Sequence, residues 1–181
     1  MPPDPGSGDD PDPGNGIDLH SDRYFMSQAL RQARTAYRAG EVPVGAVVVA
    51  EGRIIGRAHN QVETLKDATA HAEMLSLTQA QSAAGDWRLT DCDLYVTKEP
   101  CPMCAGAMVH CRIRRLVFGC PDAKGGAAGG FINLLFQPTL NHRCEVVPGI
   151  LIDECRDLIQ SFFEEARRKR GEGDDDRRNP I

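Results

Sequence analysis

Five short apolar runs alternate with helical patterns along the middle of this chain, and this alternation constrains its fold more than any other feature. The runs have the length and apolar content of β-strands. They lie at residues 44–49, 54–58, 94–97, 116–119 and 145–147. Because helical patterns precede, separate and follow these runs, we predict an α/β fold, a three-layer α/β/α sandwich with a central mixed five-stranded sheet.

The helical patterns carry ordinary start and stop signals. Ser21 or Asp22 can cap a first helix, and Gly40 can end it. Further helices are predicted from about residue 70 to 81, from 102 to about 111, and along an apolar stripe from 151 to 163.

The connections between the strands also constrain the topology. Glu51 and Gly52 form a turn between the first two runs, which indicates a hairpin. The 24 residues of 120–143 separate the last two runs. A connection of that length can cross over the sheet, so the last two strands can be parallel.

Composition sets the two ends apart from the rest of the 181-residue chain. Residues 1–18 carry five acids and no base, and residues 171–181 carry four acids against two arginines. Both segments have too few apolar residues to build a core, so we predict disordered tails around a single domain at 19–170. Without the −5 and −2 of these tails, the net charge of −5 becomes +2 over that domain. A mildly basic domain permits a polyanionic partner without requiring one.

Three features predict a cytoplasmic protein that does not associate with membranes. No apolar run is long enough to span a bilayer. The N-terminus lacks the basic and apolar parts of a secretory signal. The seven cysteines are therefore expected to be reduced thiols.

Two segments carry residues typical of catalytic chemistry, His71-Ala72-Glu73 and Pro100-Cys101-Pro102-Met103-Cys104. Each opens a predicted helix. Pro102 suits a first helical position, so Cys101 is predicted to cap that helix and Cys104 to follow one turn later on the same face. Since His71 begins the other helix, ligands from two helix ends can converge on one ion.

One histidine and two cysteines are typical of zinc, which prefers tetrahedral nitrogen and sulfur ligation. Three protein ligands leave a fourth position for water, whose pKa zinc lowers from about 15.7 to roughly 7. Glu73 can then take the water proton and deliver it to a base ring and a departing amine. The pattern H-x-E followed by P-C-x-x-C is typical of zinc-dependent base deaminases, so we predict a hydrolytic deaminase with one zinc ion per chain.

The C-x-x-C pair has two other interpretations. A redox pair would leave His71 and Glu73 without a role. A closed structural zinc site would need a fourth close ligand, which His59 or His110 would have to supply. The open three-ligand site accounts for both motifs and is the preferred interpretation.

Further motifs extend the pattern from about Tyr24 to Arg167. They are EVPVGAVVV (41–49), HN (59–60), DATAHAEML (67–75), WRL (87–89), LYVTKEPCPMCAGAMVHCRI (94–113), RLVFGC (115–120), DAKGGAAGG (122–130), NLL (133–135), LNHR (140–143) and FF (162–163). With these motifs the chain closely resembles the bacterial tRNA-specific adenosine deaminases of the cytidine-deaminase-like superfamily.

The resemblance implies hydrolysis of adenosine to inosine at the wobble position of an arginine tRNA, by a homodimer with one zinc ion per subunit. The tRNA partner would be bound through its anticodon stem-loop. The site residues implied are the zinc ligands His71, Cys101 and Cys104, the proton carrier Glu73, and the substrate-binding Asn60, Asp122 and Lys124. An Asn amide suits a base edge because it can both donate and accept a hydrogen bond.

The chain departs from the family pattern at three places. Gly130 stands where the family usually has Ser, which predicts a looser loop, and Cys120 replaces a small residue. Glu164 and Glu165 stand where relatives often carry basic residues, although four consecutive positive charges follow at Arg167–Arg170. The strength of tRNA contacts from this last helix is therefore left open.

Two other functions stay open from the sequence. A free-base or nucleotide deaminase, acting for example on guanine or cytidine, uses the same zinc chemistry with a different pocket. A catalytically silent zinc-containing tRNA-binding module is the other. Glu73 argues against such a module, which would have no use for a carboxylate beside an open zinc site.

Overall fold

The computed structural model describes the backbone of residues 18–175 and the side chains of residues 18–169. The elements in chain order are α1 (Asp22–Arg38), β1 (Gly45–Ala50), β2 (Arg53–His59), α2 (Val62–Leu65), α3 (Ala72–Ala84), β3 (Cys92–Lys98), α4 (Pro102–Cys111), β4 (Arg115–Cys120), β5 (Glu145–Pro148) and α5 (Ile152–Asp175). Every predicted strand and helix is present, with small shifts at the ends except at the C-terminal end of α5.

The strands form a single mixed sheet in the order β2-β1-β3-β4-β5. Strand β1 lies antiparallel to both β2 and β3, and the turn predicted at Glu51 and Gly52 joins β1 to β2. The pairs β3–β4 and β4–β5 are parallel. The long connection after β4 therefore does cross over, as its length allowed.

Alternate residues of each central strand face opposite layers of helices. In β1, Ala46 and Val48 pack in the cluster that contains α3 and α4. Val47 and Val49 pack in the cluster that contains α1 and α5. This period of two along the strands, with helices covering both faces, gives the predicted three-layer sandwich.

Helix α1 is fixed on the sheet by a cap and by a close approach. The Ser21 hydroxyl accepts the Tyr24 N–H at 3.2 Å, so Ser21 is the capping residue. Gly45 lies against the backbone of α1 so closely that a Cβ there would overlap Ala29 and Ala33. The glycine at this position therefore lets α1 lie directly on β1.

The short helix α2 was not predicted, and its cap explains why. The Glu41 carboxylate accepts the backbone N–H groups of Glu63 and Thr64 at 3.2 and 2.7 Å. These are donors of the first helical turn, which a local side chain normally satisfies. Because the capping carboxylate lies 22 residues away in sequence, no local signal marks the helix.

The C-terminal helix is longer than predicted. Helix α5 continues to Asp175, so residues 171–175, which were assigned to a disordered tail, extend the helix instead. Once a helix is anchored by its apolar stripe, each added residue forms one further backbone hydrogen bond. The rest of the predicted tails, residues 1–17 and 176–181, lies outside the described residues. None of the helices in the described part of the chain is long and apolar enough to span a membrane.

Candidate active site

Two helix N-termini bring the predicted metal ligands together. His71 is the residue that precedes α3, and Cys101 precedes α4, where Pro102 holds the first helical position. The His71 Nδ1 atom lies 3.6 Å from Cys101 Sγ and 3.5 Å from Cys104 Sγ. The two sulfur atoms are 3.7 Å apart. All three predicted ligands therefore converge, and each lies at or within one turn of a helix start.

The triangle of donor atoms has the dimensions of a tetrahedral zinc site. Zinc–sulfur bonds of about 2.3 Å and zinc–nitrogen bonds of about 2.0–2.1 Å give tetrahedron edges of about 3.8 Å between sulfurs and about 3.6 Å from sulfur to nitrogen. The observed separations of 3.5–3.7 Å agree with these edges. The donor set and its spacing thus fit a zinc ion.

Among the described side chains, no fourth His, Cys, Asp or Glu joins this group. His59 and His110 in particular do not join it, which argues against the closed structural site. All seven cysteines are free thiols in the structure. The group therefore has the three-ligand composition expected of an open site.

The electrostatics of the cysteine pair favour ionisation of Cys101. Hydrogen bonds from Cys104 and His71 lower the pKa of the Cys101 thiol. The pKa of Cys104 is raised, first because it donates to Cys101 and then because it is buried. Cys101 also lies at the positive end of the α4 dipole, which favours a thiolate.

Glu73 lies in the first turn of α3 and is buried, with 4% of its surface exposed. Burial raises the pKa of its carboxyl group, and the nearby charge of His71 opposes that effect. Glu73 borders the same cavity as His71 and Cys101, whereas Cys104 lies fully buried behind them. The carboxylate and two of the ligands therefore face one space.

That cavity has a volume of about 630 Å³, large enough for a nucleoside. Asn60, which the family resemblance implied, also borders it. The Asn60 amide donates to Glu41 Oε2 at 3.3 Å, and its backbone N–H donates to Val44 O at 3.0 Å. Both contacts fix the position of Asn60 at the cavity wall.

Glu41 is a site residue that the sequence did not reveal. It is 1% exposed, and besides Asn60 and the α2 backbone it accepts the Thr64 hydroxyl at 2.7 Å. Burial alone would raise the pKa of Glu41, but the hydrogen bonds from Thr64 and Glu63 outweigh it, so the pKa is lowered. The carboxylate is therefore held ionised beneath Asn60.

Asp122 and Lys124 do not border the cavity. Asp122 forms an ion pair with Lys98, which does, and its Oδ1 accepts the backbone N–H of Lys124 at 3.0 Å. The Lys124 side chain is exposed to solvent. The structure thus places these two residues on the loop beside the cavity rather than in its wall.

The glycine-rich loop after β4 is built around Glu99, which is buried and was also missed from the sequence. Its carboxylate accepts the N–H groups of Asp122, Ala128 and Gly130 at 2.8, 2.9 and 2.7 Å. A Cβ at Gly130 would overlap this carboxylate. Glycine at position 130 therefore makes room for the Glu99 carboxylate, and its N–H group is bound by that carboxylate. The sequence had instead predicted that this glycine loosens the loop.

Helix α5 supplies one wall of the cavity through Phe162, Phe163, Ala166 and Arg167. Phe162 packs edge-on against Tyr37 of α1, with ring centroids 5.6 Å apart. The stripe of α5 predicted that both aromatic residues are buried, which is wrong for Phe163, since it is 42% exposed. Nothing in the sequence placed either residue near His71.

The acidic residues of α5 do not face the cavity. Glu165 accepts the Tyr37 hydroxyl at 2.7 Å and pairs with Lys169 at 2.9 Å. Glu164 is exposed and does not border the cavity, whereas Arg167 does. The side chain of Arg170, the last of the four positive residues, lies outside the described residues.

A mixed sheet with helices on both faces, an open His/Cys/Cys group and a buried carboxylate beside it define a deaminase with the cytidine-deaminase-like fold. In agreement, the family model of the MafB19-like deaminases matches residues 20–167.

Within this class the chain belongs to the family of tRNA-specific adenosine deaminases. The tRNA-specific adenosine deaminase of Bacillus subtilis (strain 168) is 50% identical over 152 residues, which are 84% of this chain and 94% of that protein. The one of Aquifex aeolicus (strain VF5) is 47% identical over 146 residues, 80% of this chain and 95% of the relative. A solved structure from a study of A-to-I editing by tRNA:A34 deaminases at the wobble position of transfer RNA superposes with a TM-score of 0.72. It is 45% identical, and the match covers 75% of this chain and 98% of that one.

Proposed function

We propose that this chain is a zinc-dependent hydrolase that converts adenosine to inosine at the wobble position, the first anticodon nucleotide, of an arginine tRNA. In this reaction the oxygen of a water molecule forms a bond to C6 of adenine, the bond from C6 to the exocyclic nitrogen breaks, and ammonia leaves. Hydrolysis needs no other co-reactant.

One observation carries the proposal: two residues of the three-ligand group, His71 and Cys101, and the buried Glu73 carboxylate border one cavity of about 630 Å³. His71, Cys101 and Cys104 would hold the zinc ion, whose expected bond lengths match their separations. When bound, zinc supplies a Lewis acid that lowers the pKa of a water molecule from about 15.7 to roughly 7.

Glu73 carries the proton in this proposal. It accepts one proton of the water and passes it to N1 of the adenine ring. It then takes the remaining proton of the new hydroxyl group on C6 and passes it to the departing amine, which leaves as ammonia. Because Glu73 is buried, bulk water does not compete for its carboxylate once a base fills the cavity.

Asn60 recognises the base, since its amide can donate to and accept from a base edge. Phe162 and Phe163 offer aromatic faces on the wall that α5 supplies, on which bases of single-stranded RNA can stack. Asp122 and Lys124 contact nucleotides next to the reacting one from the adjacent loop. The tRNA relatives support this substrate class, and their resemblance also leads us to propose a cytoplasmic homodimer with one zinc ion per subunit.

The test is to incubate the purified protein with an arginine tRNA carrying an ACG anticodon and to sequence the product for inosine. We expect inosine at the first anticodon position. The matched control is the same tRNA with guanosine at that position, which should stay unchanged.

Parallel incubations with free adenosine, guanine and cytidine separate the competing functions. We expect little or no turnover of any of them, because contacts to flanking nucleotides must position the reacting base. Turnover of guanine or cytidine without tRNA deamination would instead identify a free-base or nucleotide deaminase. Binding of tRNA without any deamination would identify a silent binding module.

A further inference from the structure

A second groove, of about 460 Å³, lies between α1 and the edge strand β2. Four arginines line it: Arg31, Arg34 and Arg38 from α1, and Arg57 from β2. All four are exposed, and no acidic residue is among the lining side chains. The groove is therefore a concentrated positive surface, and it shares no residue with the cavity at His71.

These four arginines differ from five others in the described part of the chain, which pair with carboxylates. Within the described side chains, none of the four pairs with a carboxylate. Arginines that do pair elsewhere are Arg23, Arg88, Arg114, Arg115 and Arg156. Arg31, Arg34 and Arg38 also share one face of α1, where like charges repel one another. Folding alone gives no reason for this arrangement, whereas a negatively charged partner does.

The remaining lining side chains indicate which kind of partner fits. Gln28, Gln32 and Thr35 are polar, and no apolar or aromatic residue lines the groove. A membrane surface would require apolar side chains to insert, and a protein partner would favour aromatic or aliphatic anchors. Guanidinium groups interleaved with amides and a hydroxyl instead match the phosphate oxygens of a nucleic acid.

The groove and the cavity are lined by neighbouring residues at the C-terminal end of α1. Arg38 is followed within three residues by Gly40 and Glu41, which border the cavity. From Arg38 back to Arg31 the helix rises about 10 Å, at about 1.5 Å per residue. An RNA strand that leaves the cavity over the end of α1 can therefore continue along this line of arginines.

We propose that this groove binds the phosphate backbone of the substrate RNA on one side of the nucleotide that enters the cavity. The inference rests on the proposed function for the identity of the RNA, and it adds a binding surface that lies outside the deaminase site.

The test compares two double variants of the full-length protein with the wild type. Arg31→Gln with Arg57→Gln removes two charges from the groove. The control, Arg53→Gln with Arg143→Gln, also removes two positive charges. Both of these arginines are exposed, and within the described residues they neither line the groove nor pair with a carboxylate. Binding of the arginine tRNA is measured between about 50 and 200 mM salt. Inosine formation is measured in the same preparations, and circular dichroism with zinc content checks that each variant is folded.

We expect the groove variant to bind tRNA several-fold more weakly. The slope of log affinity against log salt should fall by about 0.7–0.9 for each phosphate group that the variant no longer binds. The control variant should bind and deaminate as the wild type does. A folded groove variant with the affinity and salt slope of the control would overturn the proposal while leaving the deaminase assignment intact. A reduced slope without inosine formation by the wild type would keep the groove as an RNA-binding surface and overturn the proposed function.

Discussion

At the scale of single residues, Glu41, Glu73 and Glu99 are all buried, and their partners give them different roles. Glu73 borders the same cavity as the predicted metal ligands His71 and Cys101, whereas Glu41 and Glu99 accept backbone N–H groups from segments that border the site. A buried carboxylate is stable only when it is well hydrogen-bonded. Glu41 and Glu99 therefore fix the segments that carry Asn60 and the glycine-rich loop.

Replacement of Glu41 tests its action on Asn60. In the wild type, N–H groups of Asn60, Glu63 and Thr64 donate to the Glu41 carboxylate. In Glu41→Gln, an amide NH2 group replaces one of the accepting oxygens, which leaves at least one buried donor unsatisfied. We expect a loss of unfolding free energy of about 1–3 kcal/mol. We also expect kcat/KM for the anticodon stem-loop to fall further in Glu41→Gln than in the control variant Thr64→Val. Urea unfolding and initial rates of inosine formation measure the two effects.

The matched control is Thr64→Val, which removes the hydroxyl bond to Glu41 but leaves the contact between Glu41 and Asn60. If kcat/KM falls equally in both variants, Glu41 serves only to cap α2, and the hypothesis that it positions Asn60 is wrong.

At the scale of the elements, α1 is joined to the sheet by a partly buried ion pair. Arg115 of β4 donates to both carboxylate oxygens of Asp22, at 2.8 and 2.6 Å, and the Tyr95 hydroxyl of β3 donates to the same group at 2.8 Å. The hydrogen bonds from Arg115 hold the pKa of Asp22 below its ordinary value of 3.8. The start of α1 is thereby fixed on two strands.

Asp22→Asn should lower the unfolding free energy at neutral pH by about 1–3 kcal/mol, because it leaves the Arg115 charge without its closest partner. Since folding lowers the pKa of Asp22, its contribution is fully present above the unfolded value and is lost as pH falls through the lower folded value. The difference between variant and wild type should therefore shrink in acid, below about pH 4. Urea unfolding at several pH values measures it.

Asp157→Asn is the control for this change, because Asp157 is exposed on α5 and its side chain forms no hydrogen bond or ion pair with another described residue. We expect no measurable change from it at any pH. A constant difference between Asp22→Asn and the wild type down to about pH 3 would show that the ion pair does not control the stability of α1.

The elements themselves could be predicted because their signals are local. The cap at Ser21, the proline at the start of α4 and the apolar run of β1 each act within a few residues. Helix α2 could not be predicted, because Glu41 caps it from a distant part of the chain. The cavity wall formed by α5 depends on the packing of Phe162 on Tyr37, which only the assembled sandwich produces.

At the scale of the whole molecule, the three-layer arrangement brings helix starts from different parts of the sequence to one site. The H-x-E and P-C-x-x-C motifs predicted His71, Cys101 and Cys104 as a group, because their chemistry identifies them without knowledge of the fold. The same motifs could not place the basic groove on α1, since it forms only when Arg57 of β2 lies beside that helix. The structure therefore adds surfaces to a site whose chemistry the sequence already indicated.

The most direct test of the account is the rate of inosine formation by Glu73→Gln, measured together with its zinc content. Gln has nearly the size of Glu73, and the substitution removes a carboxylate charge that burial disfavours. The fold and about one zinc ion per chain should therefore be retained. We expect turnover of the anticodon stem-loop to fall by a factor of about 10²–10⁴ or more, the typical contribution of a general acid–base group. A variant that keeps its zinc and most of the wild-type rate would contradict the assignment of Glu73 as the proton carrier and with it the proposed mechanism.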